Sequence, residues 1–219
     1  MRTYLRLTVL AASAVVIASP MIPADAATGH VLTIGKAGGT AVKTGAVLKS
    51  GLAKGTSAVF SLGTEKLTCK AGALSAKVVT NPVKPGTATE SLTAQSFSKC
   101  TINVSGVTFK SLKALNLPYK VSVSDAAGDP VKVTGQSSSK PVAFTAVATA
   151  GTLTVTCTYK ASTVTGHASN TGNKISFSKQ KFTFASGNTI ACPKSANFTA
   201  TLGPVTDSSV SGSPKVFVN

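Results

Sequence analysis

Two histidines, four cysteines and six acids are the side chains on which imidazole, thiol or carboxylate chemistry would have to rest in this 219-residue sequence. A nucleophilic serine or cysteine needs an imidazole beside it, and only His30 and His167 exist. His30 stands four residues into the expected mature chain, where chains are usually mobile. His167 lies between Gly166 and Ala168 at the end of an expected strand, and both histidines read as exposed polar residues. Paired carboxylates for glycoside hydrolysis need two acids across a cleft. Beyond residue 26 the acids are Glu65, Glu90, Asp125, Asp129 and Asp207, three of them in turn-like contexts. Tryptophan is absent, and Tyr119 and Tyr159 are the only hydroxyl-bearing rings there, which weakens a sugar-binding platform. Asp125 and Asp129 fall short of the six or more oxygens calcium takes and read as hairpin punctuation. Gly38-Gly39-Thr40 lacks the G-K-[ST] ending of a phosphate loop. The sequence thus offers no catalytic residue, no cofactor site and no metal site.

The cysteines do offer chemistry of another kind. Cys69, Cys100, Cys157 and Cys192 form an even set in a chain that carries an export signal, the pattern of a disulfide framework. Zinc is disfavoured because no C-x-x-C pair occurs. Three pairings are possible. One is favoured by a weak internal repeat: Leu67-Thr68-Cys69 precedes Gln95-Ser96-Phe97 and Cys100, and Val155-Thr156-Cys157 precedes Gln180-Lys181-Phe182 and Cys192. Each half runs apolar-Thr-Cys, then Gln-x-Phe, then the second cysteine, which favours Cys69 with Cys100 and Cys157 with Cys192.

The strands that must position these residues show in period-two alternation. It is clearest from Leu153 to Lys160, where Val155, Cys157 and Tyr159 share one face. The same pattern occurs in Val121-Ser-Val123-Ser, Val131-Lys-Val133-Thr, Ile175-Ser-Phe177-Ser and Phe198-Thr-Ala200-Thr-Leu202. Turn signals separate them at Asn81-Pro82, Pro85-Gly86, Asp125 to Pro130, Ser169 to Asn173 and Ser186 to Asn188. A marginal helix is expected over Thr44 to Lys54. Half-buried antiparallel strands with frequent turns predict an all-β sandwich or barrel. Only Gly135 to Ser139 resembles a linker, so residues 27–219 are expected to form one domain, with pseudo-repeat halves near 27–135 and 140–219.

Residues 1–26 read as a secretory signal. Arg2 and Arg6 precede an apolar run from Leu7 to Ser19, and Ala24-Asp25-Ala26 supplies the small residues of a cleavage site. The run breaks at Pro20, short of a bilayer span, so no membrane insertion is expected once it is removed. Cleavage after Ala26 leaves 193 of the 219 residues, with 20 lysines, no arginine and five acids, for a net charge of +15. Sequence-specific nucleic-acid readers lean on the arginine fork, so that function is set aside. The lysines are spread from Lys36 to Lys215, as on a solvated surface, and attract anionic polymers in a salt-dependent way.

Several segments together carry a family likeness: Ala37-Gly-Gly-Thr-Ala-Val42, Pro85-Gly-Thr-Ala-Thr-Glu-Ser-Leu-Thr-Ala-Gln95, Asn116-Leu-Pro-Tyr119, Ile175-Ser-Phe177 with Gln180-Lys-Phe182, and the ending Thr206 to Asn219. In these the chain resembles the small secreted actinobacterial proteins catalogued as "Tat pathway signal sequence domain" proteins. The resemblance implies a secreted, disulfide-bearing β protein and brings no catalytic residue to carry over. Arg2 and Arg6 are separated by three residues, so the twin-arginine pattern is absent here and general secretion is the expected route.

The leading expectation is a secreted, non-catalytic protein that binds anionic cell-wall polymers or polysaccharide through lysine-studded strand faces. The alternatives are a small hydrophobic-ligand carrier holding its cargo between sheets and, last, a hydrolase built on His167. Disulfides closing loops of 31 and 35 residues should each stabilise the fold by roughly 3 to 4 kcal/mol. Reduction is therefore expected to lower the melting temperature by well over ~10 °C for a chain of this size, measured in thermal melts with and without reductant.

Overall fold

The computed structural model describes residues 29–219; the expected export segment, residues 1–26, lies outside them. The chain is all β. Three short strands come first, β1 (Leu32–Ile34), β2 (Thr40–Ala41) and β3 (Val47–Gly51), then β4 (Ala58–Leu62) and the long hairpin β5 (Glu65–Thr80) and β6 (Thr87–Ile102). There follow β7 (Val107–Leu115), β8 (Tyr119–Ser124), β9 (Pro130–Thr134), β10 (Val142–Ala150), β11 (Leu153–Ala161) and β12 (Thr163–Ser169). The chain closes with β13 (Lys174–Gly187), β14 (Ser195–Leu202), β15 (Thr206–Asp207) and β16 (Val216–Val218). Alternation places the expected faces: Tyr119, Val121 and Val123 of β8 are buried, as are Ala196, Phe198, Ala200 and Leu202 of β14.

Eight strands form a closed antiparallel barrel in the order β12, β9, β8, β6, β5, β4, β14, β13. The pairing of β13 with β12 closes the ring at Gly166↔Phe177, His167↔Ser176, Ala168↔Ile175 and Ser169↔Lys174. Closure removes the sheet edges. It also requires Gly166: a Cβ there would stand 2.6 Å from the Ser176 carbonyl oxygen and 2.8 Å from the Phe177 ring. The ring takes strands from both sides of Gly135, so neither half of the chain closes a barrel alone. An eight-stranded barrel is just wide enough for side chains to occupy, and buried Ala76, Leu92, Val121, Val131, Phe177 and Leu202 line the interior of this one.

The remaining strands hang on the long ones. β13 pairs with β12 only up to Phe177; its far half, Thr183 to Gly187, pairs with β11 instead. β11 pairs with β10, and β10 with β7, which makes a three-stranded flap. The flap packs on the outer half of the barrel wall through aromatic rings. Phe144 of β10 lies 4.8 Å from Phe60 of β4, 5.1 Å from Phe182 of β13 and 5.4 Å from Tyr159 of β11, centroid to centroid. Such pairs add to stability beyond the area they bury.

Both expected disulfides are present. Cys69–Cys100 links directly opposed residues of β5 and β6, and Cys157–Cys192 ties β11 to the loop after β13. Both lie on the flap side of the barrel, and both fit an oxidising, extracellular setting. Among the described residues no helix is long and apolar enough to cross a membrane.

Two expectations are corrected. The stretch Thr44 to Lys54 is not helical: Val47–Gly51 is a strand, paired with β5 on one edge and β15 on the other. Gly45 at φ 86° and Gly51 against the Gly72 carbonyl suit an extended turn-and-strand segment and not a helix. His30 is half-buried and tied down, its Nδ1 2.7 Å from the Asn81 carbonyl. Asn81 anchors the same region by donating to the carbonyls of Leu32 and Val42 and accepting from the Leu32 N–H.

Candidate functional site

A cavity of about 170 Å³ lies between the flap and the ends of β4, β5 and β6, on the face those strands turn toward the core. Its origin is legible in β10, where Phe144, Ala146 and Ala148 face the cavity and Ala150 lines its exposed end: one large side chain, then three small ones. Opposite them stand Phe60, Leu62, Leu67 and Ile102. Large residues on one wall facing methyl groups on the other leave a trough that backbone packing cannot close.

One side of this trough lacks a ladder. β6 pairs with β8 only as far as Leu92, and β7 pairs only with β10, so among the described residues the facing edges of β6 and β7 are not hydrogen-bonded to each other. Ile102, Val104, Val107 and Phe109 line the cavity along this seam. The wall there is made of side chains alone, which can part without breaking backbone hydrogen bonds. Across from it, Cys157, Ala191 and Pro193 form the wall, so the Cys157–Cys192 bridge holds the loop after β13 against the cavity.

Three polar residues stand in the lining of this apolar space, Glu65, Thr149 and Tyr159. Tyr159 is 1% exposed and its hydroxyl has no hydrogen-bond partner. Burial first, and the Glu65 carboxylate second, push its pKa up to about 12. The hydroxyl is therefore held protonated. Tyr119 shows the usual arrangement: its hydroxyl lies 2.8 Å from the Ala143 carbonyl, accepts from the Ala143 N–H at 3.2 Å and also meets the Leu115 carbonyl. An unpaired buried hydroxyl costs about 1–3 kcal/mol. Tyr159 bears that cost.

The residues singled out in the sequence are placed otherwise. His167 is exposed, its Nδ1 3.0 Å from the Gly128 carbonyl; it stands opposite Ser176 across the ring closure and does not line this cavity. Both carboxylate oxygens of Asp125 accept from the Gly86 N–H, at 3.0 and 3.1 Å, and Asp129 turns the β8–β9 hairpin at φ 46°. Asp207 is buried and accepts from the Ser209 N–H. No group of three or more His, Cys, Asp or Glu side chains converges among the described residues. Gly38 and Gly39 make the tight turn between β1 and β2, where a Cβ on Gly39 would sit 2.4 Å from the Ile34 carbonyl oxygen.

Glu90 is the residue whose setting the sequence reading missed. It lies on the inward face of β6 between buried Ala88 and Leu92, and it shares cavities inside the ring with Leu48, Val123 and Ile175. The signal was there in Ala88-Thr-Glu90-Ser-Leu92, an alternation with an acid in the apolar register. β-Bulges at Val78/Thr80 and Ser75/Ala76 flank it, and bulges re-aim side chains where a strand must bend.

No family model, curated protein or solved structure matches this chain. The reading of the site therefore rests on its geometry.

Burial lifts the Glu90 carboxyl from its ordinary 4.5 to about 7. Below pH 4.5 the group is neutral folded and unfolded alike. Between 4.5 and 7 the unfolded chain gives up the proton while the folded one keeps it, so this group's contribution to stability declines with rising pH and is fully lost above 7. Glu90→Gln is expected to match wild type in melting temperature at pH 4.5 and exceed it at pH 8, measured by thermal melts at both values; an equal offset at the two pH values would refute the assignment.

Proposed function

We propose that the protein is a secreted, non-catalytic carrier of a small apolar ligand, held in the cavity between the flap and the barrel wall. The observation that carries this reading is the cavity itself, apolar and about 170 Å³. Apolar cavities of about 150 Å³ stay dry and take up a ring the size of benzene. A few convergent polar groups in an apolar pocket are the ordinary make-up of a ligand site. Two disulfides on the same side of the molecule support the reading, because they restrain the walls that a ligand would press against. Secretion is supported by those disulfides and by the export pattern of residues 1–26.

The lysines favour a second, compatible reading, attachment to anionic cell-wall polymers. Twenty lysines face five acids beyond residue 26, so at least fifteen have no carboxylate to pair with. Lys120 and Lys132 flank a groove across β6, β8 and β9, alongside Thr89, Glu90, Ser91, Ser122 and Thr134. Such contacts hold position and yield to salt.

Toluene near aqueous saturation is expected to raise the melting temperature by about 2–8 °C, the shift that roughly 1–2 kcal/mol of ligand linkage gives a chain of this size. Ala146→Phe, which fills the trough, should abolish that shift while leaving the protein folded; an unaltered wild-type melt removes the carrier reading. Retention on purified cell wall at ~20 mM salt and release by ~0.5 M is the result expected of the second reading, and retention indifferent to salt counts against it.

A further inference from the structure

Four chain reversals surround the place where the cavity meets solvent. β4 turns into β5 after Leu62, β6 into β7 over residues 103–106, β10 into β11 after Ala150, and β13 into β14 over residues 188–194. Hydrogen bonding sets the first three side by side. The Asn103 N–H donates to the Lys66 carbonyl at 3.1 Å, and Ala150 stands opposite Val107 in one ladder and Leu153 in the other. The Cys157–Cys192 bridge ties the fourth reversal to β11. All four contribute to the cavity lining, in which Ala150 and Ala191 are the exposed residues.

Each reversal carries one apolar side chain toward water. Ile190 is 98% exposed and Leu153 54%, while Leu62 and Val104 are half-buried. Ile190 is held out by a built loop. The Asn188 side-chain oxygen accepts from the N–H groups of Ile190 and Ala191, at 3.0 Å each, and the Asn188 carbonyl accepts from the Cys192 N–H at 2.9 Å. Leu153 is fixed by its place in the ladder opposite Ala150. Aliphatic side chains held in water forgo the free energy that burial returns, and apolar exposure gathered at one end of a molecule marks an interaction site. Around this rim Lys66, Lys110 and Lys194 are exposed, and Glu65 is the one acid on the four reversals.

We propose that this end of the molecule docks peripherally on an anionic lipid surface, with Ile190 and Leu153 entering the boundary between headgroups and acyl chains and the three lysines meeting headgroup phosphates. Such docking combines apolar anchors with lysine attraction to an anionic leaflet. The apolar side chains stand on separate turns, beside exposed Thr64, Ser105, Thr152 and Thr189, and so project singly. A protein partner asks for a contiguous, closely packed apolar patch; a fluid interface accepts separate projections, with lysine stems lying along the apolar layer and their ammonium groups in water. The proposal concerns the rim and goes beyond the carrier reading, since it holds with the cavity filled or empty.

The sequence contains no tryptophan, so Ile190→Trp introduces a single fluorescent reporter at the rim. Its emission is expected to move to shorter wavelength on vesicles of phosphatidylcholine with about one-third phosphatidylglycerol, and less on phosphatidylcholine alone. Val210→Trp, on the reversal beside β3 at the far end of β5, should not shift. In vesicle sedimentation the double variant Ile190→Ser and Leu153→Ser keeps the charge and is expected to bind at least about tenfold more weakly. Lys194→Gln should weaken binding about fivefold, and Lys132→Gln, on the β9 face, much less. Both serine positions are exposed, so the fold is expected to survive the change. Vesicle binding equal to wild type in the double-serine variant would assign the attraction to net charge alone and overturn the proposal. Absence of vesicle binding, or an unshifted emission from Ile190→Trp, overturns it too. A lipid-free dimer that Ile190→Ser dissolves gives the rim to a second copy of the chain and likewise ends it.

Discussion

Strand β13 changes neighbours halfway along its length, and the shape of the molecule follows from that exchange. Up to Phe177 it closes the ring with β12; from Thr183 it carries β11 and with it the whole flap. The switch is made at a bulge between Phe177 and Gln180, where Lys179 takes a positive φ and its N–H is accepted by the Thr199 hydroxyl. Gln180 covers the parting: its side-chain oxygen accepts from both the N–H and the hydroxyl of Thr165, on the strand that is leaving. Strand β6 undergoes the corresponding change, losing β8 after Leu92. Each of the two Gln-x-Phe segments lies just past such a point. Phe97 and Phe182 then enter one aromatic cluster around Phe60, Phe144 and Phe198.

The two sides of that junction are packed on different principles. Inside the ring, closure fixes the diameter, and branched and aromatic side chains fill it. On the flap side nothing fixes the distance between β10 and the wall except the side chains themselves. A run of alternate alanines there leaves space instead of collapsing it, because Phe144 and Phe60 prop the sheets apart at one end. The disulfides restrain the other boundaries, and the seam between β6 and β7 is the wall with least backbone holding it. Glu90 in the ring and Tyr159 under the flap both have polar atoms in apolar surroundings. The carboxyl at Glu90 meets its cost by keeping its proton to about pH 7. A tyrosine hydroxyl has no such recourse, and only a partner relieves it.

On the proposed reading, an apolar cavity under a lysine-rich exterior would divide two tasks, the exterior holding anionic polymers and the interior selecting by size. The two surfaces share strand β6 but not its residues, Ile102 lining the cavity and Thr89 and Ser91 the groove, so the carrier and attachment readings do not compete for the same side chains.

Alternation in the sequence was enough to name most of the strands, to turn Cys157 toward the interior, and to mark the Asp125 to Pro130 hairpin, because a half-buried strand writes its two faces directly into its residue order. The cysteine repeat was enough to favour the pairing found. Thr44 to Lys54 misled, since its composition suits a weak helix and only the free edge of β5 makes it a strand. What residue order could not say was which strands lie side by side: period two assigns a residue to a face and says nothing of its neighbour across the sheet. The flap, the seam and the alanine trough are all consequences of long-range pairing. Their chemistry exists only once β13 has exchanged one partner for another.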